Sequence, residues 1–225
     1  MVLDSIYKAN KDAVGILVHI ESPNKNLSWS GAVGFSDKNS KDSLFKDHPV
    51  LIASNTKTYV SVAVLRLIEQ SKLDLNQSID TLIYEETNKL LQSDGYNTSA
   101  ITVSQLLNHT SGIYDYAGTE DYMQRIKDDP EHSYTRNEQI DMAVKMGDPL
   151  GGAGDVFAYA DTNYLLLTEI IERITKQPFY TSLRELINYD KLGMHSTWFS
   201  TLEEYPEDLK PVSYTHLTLP TTPYV

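Results

Sequence analysis

The chain has 225 residues, 40% of them apolar, with 19 Lys and Arg against 31 Asp and Glu, giving a formal charge of −12. That length supports a sizeable core, and the acidity argues against the basic surface that nucleic-acid partners require. The lack of cysteine excludes disulfides, thiolate zinc sites and a cysteine nucleophile.

In chain order, Val14–Ile20 and Leu27–Phe35 flank the turn Ser22-Pro23-Asn24 and predict an antiparallel hairpin. Val60, Ala63, Val64, Leu67 and Ile68 recur at helical spacing, so a helix is predicted over Thr56–Gln70, followed by a connecting segment to Ile83. Thr102-Val-Ser-Gln105 has the pattern of a capping box and opens a short helix through Asn108. Two polar helices are predicted near Glu120–Lys127 and Arg136–Met146. Pro149 to Gly154 reads as a flexible glycine-rich connection. Amphipathic periodicity predicts a helix over Asp161–Thr175 and another over Phe179–Ile187. A strand pair followed by many helices indicates α+β rather than alternating βαβ. No apolar stretch approaches the roughly 18 residues of a membrane span, and no leader with a cleavage pattern is visible.

The tail is anomalous. One reverse translation of Val212-Ser-Tyr-Thr-His-Leu-Thr-Leu-Pro-Thr221 resembles a transposase end followed by its sequencing adaptor. The expected division is therefore a native domain over residues 1–211 and a translated adaptor from Val212 to Val225, which is set aside from fold reasoning.

Serine becomes a nucleophile only with a base nearby. Ser-x-x-Lys supplies one, since residues three apart share a helix face. The spacing occurs at Ser5/Lys8, Ser22/Lys25, Ser43/Lys46 and Ser54/Lys57, but only Ser54 follows an apolar run and opens a long helix with an apolar face. Two readings stand at this point. Ser54 is a plain helix cap with Lys57 in solvent, or it is a nucleophile. In the second case burial and the helix N-terminus push Lys57 towards the neutral amine.

Leu51-Ile-Ala-Ser-Asn-Thr-Lys-Thr58 and Leu65–Leu75 resemble the active-serine segment of the serine β-lactamase and D-alanyl-D-alanine carboxypeptidase superfamily, in particular its class C-like, penicillin-binding group. Leu106-Leu-Asn-His-Thr-Ser-Gly-Ile113 and Leu192–Thr197 are similar to further segments of that group. Phe157-Ala-Tyr-Ala-Asp-Thr-Asn-Tyr-Leu-Leu-Leu167, followed by Ile170-Ile-Glu172, resembles its Tyr-x-Asn motif and the helix after it. The resemblance runs from about Val14 to Phe199.

It implies a β-lactamase/transpeptidase-like α+β fold, an antiparallel sheet flanked by helices with a helical subdomain. It also implies a serine hydrolase that forms an acyl-enzyme on Ser54, with Lys57 and Tyr159 sharing the proton. Asp161 is placed as a substrate-binding position that also faces the lysine. Which of Lys57 and Tyr159 holds the proton at rest stays open. Asp161 departs from the usual Asn: an ionised carboxylate only accepts, and beside Lys57 it favours the ammonium.

The implied substrate is a small molecule or peptide (a D-Ala-D-Ala terminus, a β-lactam or a small ester). No metal or organic cofactor is implied, and the family habit is extracytoplasmic. The third motif, Lys or His followed by Thr/Ser-Gly, is not found after Tyr159, and His109-Thr-Ser-Gly112 precedes it. The C-terminal strands are thus expected to be missing, and the chain as written is expected to be inactive and poorly folded, since a lone hairpin is marginal. The alternatives are a non-catalytic binding protein that keeps the fold, or an esterase of the same family. The histidines show no metal spacing and read as ordinary solvated or core residues. Tyr114-Asp-Tyr116 reads as a surface turn, with the lining of a site mouth as the alternative, and Glu85-Glu86 reads as a solvated face.

Overall fold

The computed structural model describes residues 2–39, 41–200 and 202–204. The anomalous tail from Val212 lies outside the described residues. The chain divides into two compact units, one within residues 1–51 and the other within residues 52–204.

The first unit is the predicted hairpin with a helix before it. Strands β1 (Gly15–Ser22) and β2 (Leu27–Gly34) pair antiparallel, with Gly15 opposite Gly34 and Ser22 opposite Leu27. A 3-10 turn at Pro23–Lys25 joins them, and Asn26 closes it at φ 47°. Asn is one of the few residues that tolerates this left-handed conformation. Helix α1 (Val2–Ala9) was not foreseen. It is anchored to this unit by the Tyr7 hydroxyl, which donates to the Val14 carbonyl at 3.2 Å.

The second unit is helical. It comprises α2 (Thr56–Glu69), α3 (Glu85–Ser93), α4 (Val103–Leu107), α5 (Glu120–Asp128), α6 (Arg136–Met146), α7 (Asp161–Thr175) and α8 (Phe179–Ile187). Helix α7 is the hub, in contact with α2, α4, α6 and α8. The sequence predicts it as amphipathic, yet every residue from Thr162 to Ile171 is buried. A helix enclosed on all sides is one around which the others pack. Leu165, Leu166, Leu167, Ile170 and Ile171 are each fully buried, and each such side chain contributes roughly 1.5–3 kcal/mol.

Local chemistry explains the element starts. Thr102 accepts from the Gln105 amide and Gln105 reaches back to the Thr102 amide, completing the predicted capping box. Thr135 and Glu138 do the same for α6. Helix α3, also unforeseen, carries the exposed Glu85 and Glu86 in its first turn. Its amino end is held from α7: the fully buried Glu169 accepts from the Tyr84 amide at 2.5 Å and from Thr87 Oγ1 at 3.1 Å. Tyr114-Asp-Tyr116 is not a surface turn. Tyr116 is fully buried, packs edge-to-face on Tyr122, and its hydroxyl donates to Gln139. The α+β class, the hairpin and the helix bounds of α6, α7 and α8 match the sequence reading.

Candidate active site

All four sequence-predicted site residues belong to the helical unit, and the structure brings them together. Ser54 sits in a 3-10 turn, Ala53–Asn55, that runs into α2. Asn55, not Ser54, is the residue at the cap position of α2, and it makes no side-chain cap bond. Ala53 is held at φ 45°, a left-handed conformation that costs an alanine about 1–2 kcal/mol. Strain next to a reactive side chain is a frequent mark of a site.

Lys57 lies one turn further on and is buried, contrary to the reading that leaves it in solvent. Its Nζ lies 3.3 Å from Ser54 Oγ and 2.6 Å from Asp161 Oδ1. The Lys57 and Asp161 side chains are only 9% and 14% exposed. Tyr159 reaches the same serine from the segment before α7, its hydroxyl donating to Ser54 Oγ at 3.1 Å. Lys57 Nζ also stands 5.0 Å from the centre of the Tyr159 ring and 5.6 Å from that of Tyr164. Ser54 Oγ therefore has a cation on one side and a phenol oxygen on the other. Lys57 Nζ and the Tyr159 oxygen both stand within hydrogen-bond reach of the serine proton.

The amino end of α7 carries Tyr159 and Asp161, yet its cap residue, Ala160, has no side-chain group to offer. The orphan amides expected there are met by the loop after α4. Asp115 Oδ1 accepts from the Asp161 amide at 3.1 Å. His109 Nδ1 accepts from the Ala160 amide at 3.2 Å and from Asn163 Nδ2 at 3.2 Å. Ser111 Oγ donates to Asn163 Oδ1 at 2.5 Å, and Thr162 Oγ1 donates to the Tyr114 carbonyl at 3.0 Å.

Burial pushes the Asp115 carboxyl above its ordinary range, and the neighbouring Asp161 charge adds to the effect. Burial, aided by the Lys57 charge, holds His109 below the ordinary histidine value. Both shifts disfavour further charge behind the ion pair.

The glycine-rich segment is pinned rather than flexible. The Leu150 amide donates to the Gly112 carbonyl at 2.9 Å, and the Gly154 amide to the Thr110 carbonyl at 2.7 Å. Gly112 has φ 77°, and a Cβ there would strike the Gly151 carbonyl. Only glycine permits so close a backbone approach.

His109, Ser111 and Asn163 were missed as site residues, and Asp115 was reached only by the site-mouth alternative for Tyr114-Asp-Tyr116. His109, Ser111 and Asn163 stood within resembling segments, but nothing in their spacing reveals contacts between residues about fifty positions apart. Among the described residues no cluster of three or more His, Asp or Glu side chains is arranged to hold a metal, and no helix is long and apolar enough to cross a membrane.

Known proteins share this arrangement of the chain. The D-amino acid amidase from Ochrobactrum anthropi SV3, solved with L-phenylalanine, superposes with a TM-score of 0.75 at 25% identity, over 93% of this chain and 53% of that one. The penicillin binding protein from Bacillus halodurans is similar in fold, with a TM-score of 0.70 at 20% identity over 91% of this chain and 59% of its own. Protein flp of Staphylococcus aureus (strain MW2) is 31% identical over 147 residues, which is 65% of this chain and 27% of that protein. This chain thus spans about a quarter of that curated relative and about half of the amidase. The family described as Beta-lactamase matches residues 4–221, and the chain belongs to the beta-lactamase family.

Proposed function

We propose that the protein is a serine hydrolase working through an acyl-enzyme on Ser54. The observation that carries this reading is the meeting of three side chains: Ser54 Oγ lies 3.3 Å from Lys57 Nζ and 3.1 Å from the Tyr159 hydroxyl. Ser54 attacks the carbonyl carbon of the substrate. Tyr159 takes part as the phenolate, having given its hydroxyl proton to solvent; its oxygen accepts the Ser54 proton and returns it to the leaving amine or alcohol as the tetrahedral intermediate collapses. Lys57 supplies a fixed positive charge beside both oxygens as negative charge develops. Asp161 holds that ammonium in place. Water then attacks the acyl carbonyl, with the same groups moving the proton in the reverse sense.

The substrate class that fits is a small amide or ester: a D-amino-acid amide or D-Ala-D-Ala peptide, a β-lactam, or a simple ester. Likeness to an amidase and to penicillin-binding proteins supports amides first, with an extracytoplasmic setting as the family habit.

A second reading, a binding protein that keeps the fold without turnover, is favoured by one observation. The 2.6 Å pair between Lys57 and Asp161 occupies the lysine that a base mechanism would need free. Covalent labelling of the full-length protein by a fluorescent penicillin or an activated D-amino-acid ester separates the two. The hydrolase reading expects a label that is lost in Ser54→Ala. A full-length protein that takes no label from either probe refutes it.

A further inference from the structure

We propose that His109 is a positioning residue that sets the Tyr159 phenol against Ser54, acting as a neutral imidazole whose Nδ1 is kept as an acceptor. The inference rests on the hydrolase reading above.

Four observations carry it. The His109 ring stacks on the Tyr159 ring at 4.4 Å between centres and 29° between planes. Its Nδ1 faces two N–H donors, the Ala160 amide and Asn163 Nδ2. Asn163 is itself oriented by Ser111, which donates to its oxygen. His109 stands at φ 59°, a conformation rare for a ring-bearing residue and kept where surroundings demand it. Two donors at Nδ1 fix the tautomer, so the ring proton sits on Nε2. The backbone reinforces the placement, since the Ala158 amide donates to the His109 carbonyl at 2.9 Å. One residue thus grips the Tyr159 segment by its backbone on both sides and by its ring.

The ring is faced by Lys57 from α2, by Asp161, Asn163 and Tyr164 from α7, and by Phe157 and Tyr159 from the loop before it. Burial and Lys57 resist its protonation, while Asp161 favours it, and the resisting effects win. Protonation at Nδ1 would turn the shared acceptor into a donor facing two donors. The Ala160 and Asn163 bonds would both break, and Tyr159 would lose its seat.

The test uses the full-length protein and two substitutions. His109→Asn keeps an oxygen acceptor near the Nδ1 position and tolerates the left-handed backbone, but removes the ring under Tyr159. His109→Phe keeps a ring and removes the acceptor. Each is expected to slow labelling of Ser54 about tenfold or more, as a displaced reacting group does. The native labelling rate is expected to fall on the acid side, and His109→Asn to lack that limb. A purely structural role would lower stability and leave the limb in place. Nitrogen-15 NMR of the native protein provides a readout free of activity: His109 is expected as the Nε2–H tautomer at neutral pH. Native labelling rates in both variants, an unchanged acid limb in His109→Asn, or an Nδ1–H tautomer would each overturn the proposal while leaving the hydrolase reading intact. A native protein that never labels overturns the hydrolase reading and this inference with it.

Discussion

Asp161→Asn tests the position at which this chain differs from the Tyr-x-Asn pattern. The substitution keeps the side chain's shape and removes its charge. Lys57 Nζ lies 2.6 Å from Oδ1, with both side chains largely buried. At an effective dielectric of about 20, the gross attraction at that distance is about 6 kcal/mol. Desolvation returns several kcal/mol for each ion, and a hydrogen bond to a charged partner nets about 1.5–3 kcal/mol. Asparagine still offers Lys57 a carbonyl oxygen, so the expected loss is about 1–2 kcal/mol. That corresponds to a fall of roughly 2–8 °C in Tm for a domain of this size.

Function is expected to change in a different way. Asparagine adds an N–H₂ donor that a carboxylate lacks. A new neutral hydrogen bond to a substrate carbonyl is worth about 0.5–1.5 kcal/mol, or roughly two- to twelvefold in relative rate. Peptide and β-lactam substrates that carry an acylamino carbonyl beside the scissile bond are expected to gain over small esters whose one carbonyl is the scissile one. The assay compares acylation rates of native and Asp161→Asn protein on matched amide and ester probes, with a thermal melt alongside. A shift in the amide-to-ester ratio with acylation retained is the expected result. Unchanged kinetics on every ester and amide tested would refute the reasoning.

Two further outcomes follow from the sequence and the fold. Burial raises the Glu169 carboxyl above its ordinary value of 4.5 in spite of the bonds from Tyr84 and Thr87. As pH rises from 4.5, the unfolded chain therefore releases this proton before the folded one does, so stability falls until the folded pKa is passed. Glu169→Gln is expected to flatten that fall, read as denaturation midpoint against pH, and equal slopes in the two proteins would contradict it. A native genomic read across codon 212 is expected to leave the Val212-Ser-Tyr frame. A read that keeps the frame rules out an adaptor origin for the tail.

Local patterns in the sequence were enough for most of the helical unit. The α4 and α6 starts rest on capping residues three positions apart, and the α2 and α8 faces rest on apolar spacing. These interactions lie within one or two turns, which is the range that periodicity and capping rules describe. Helix α3 escaped because its support is tertiary. Its own residues are mostly polar, and what holds its first turn is Glu169, more than eighty positions away. The breadth of burial on α7 escaped for the same reason, since an apolar stripe is visible in a sequence but the closure of neighbours around Thr162, Asn163 and Thr168 is not.

The site shows the same division more sharply. Ser54 lies in the 3-10 turn that runs into α2 and Lys57 in the first turn of α2, so their spacing permits the meeting, while the apolar run before Ser54 and the resembling segment singled this pair out from three others with the same spacing. Tyr159 and Asp161 meet them across about a hundred positions, and it was the order of resembling motifs that named them. Neither route reaches the residues that hold Tyr159 and Asp161 in place. Ala160 leaves the amino end of α7 without a cap of its own, so the loop from His109 to Asp115 must supply the acceptors. Had a Ser or Asp stood at 160, the helix could have capped itself, and His109 and Asp115 would have had less hold on Tyr159 and Asp161. The alanine at that position therefore ties the geometry of the nucleophile's partners to a loop some fifty residues earlier. This dependence accounts for a histidine kept at φ 59° beneath the tyrosine ring, and it is the reason the His109 substitutions test the site more directly than changes on α7 itself.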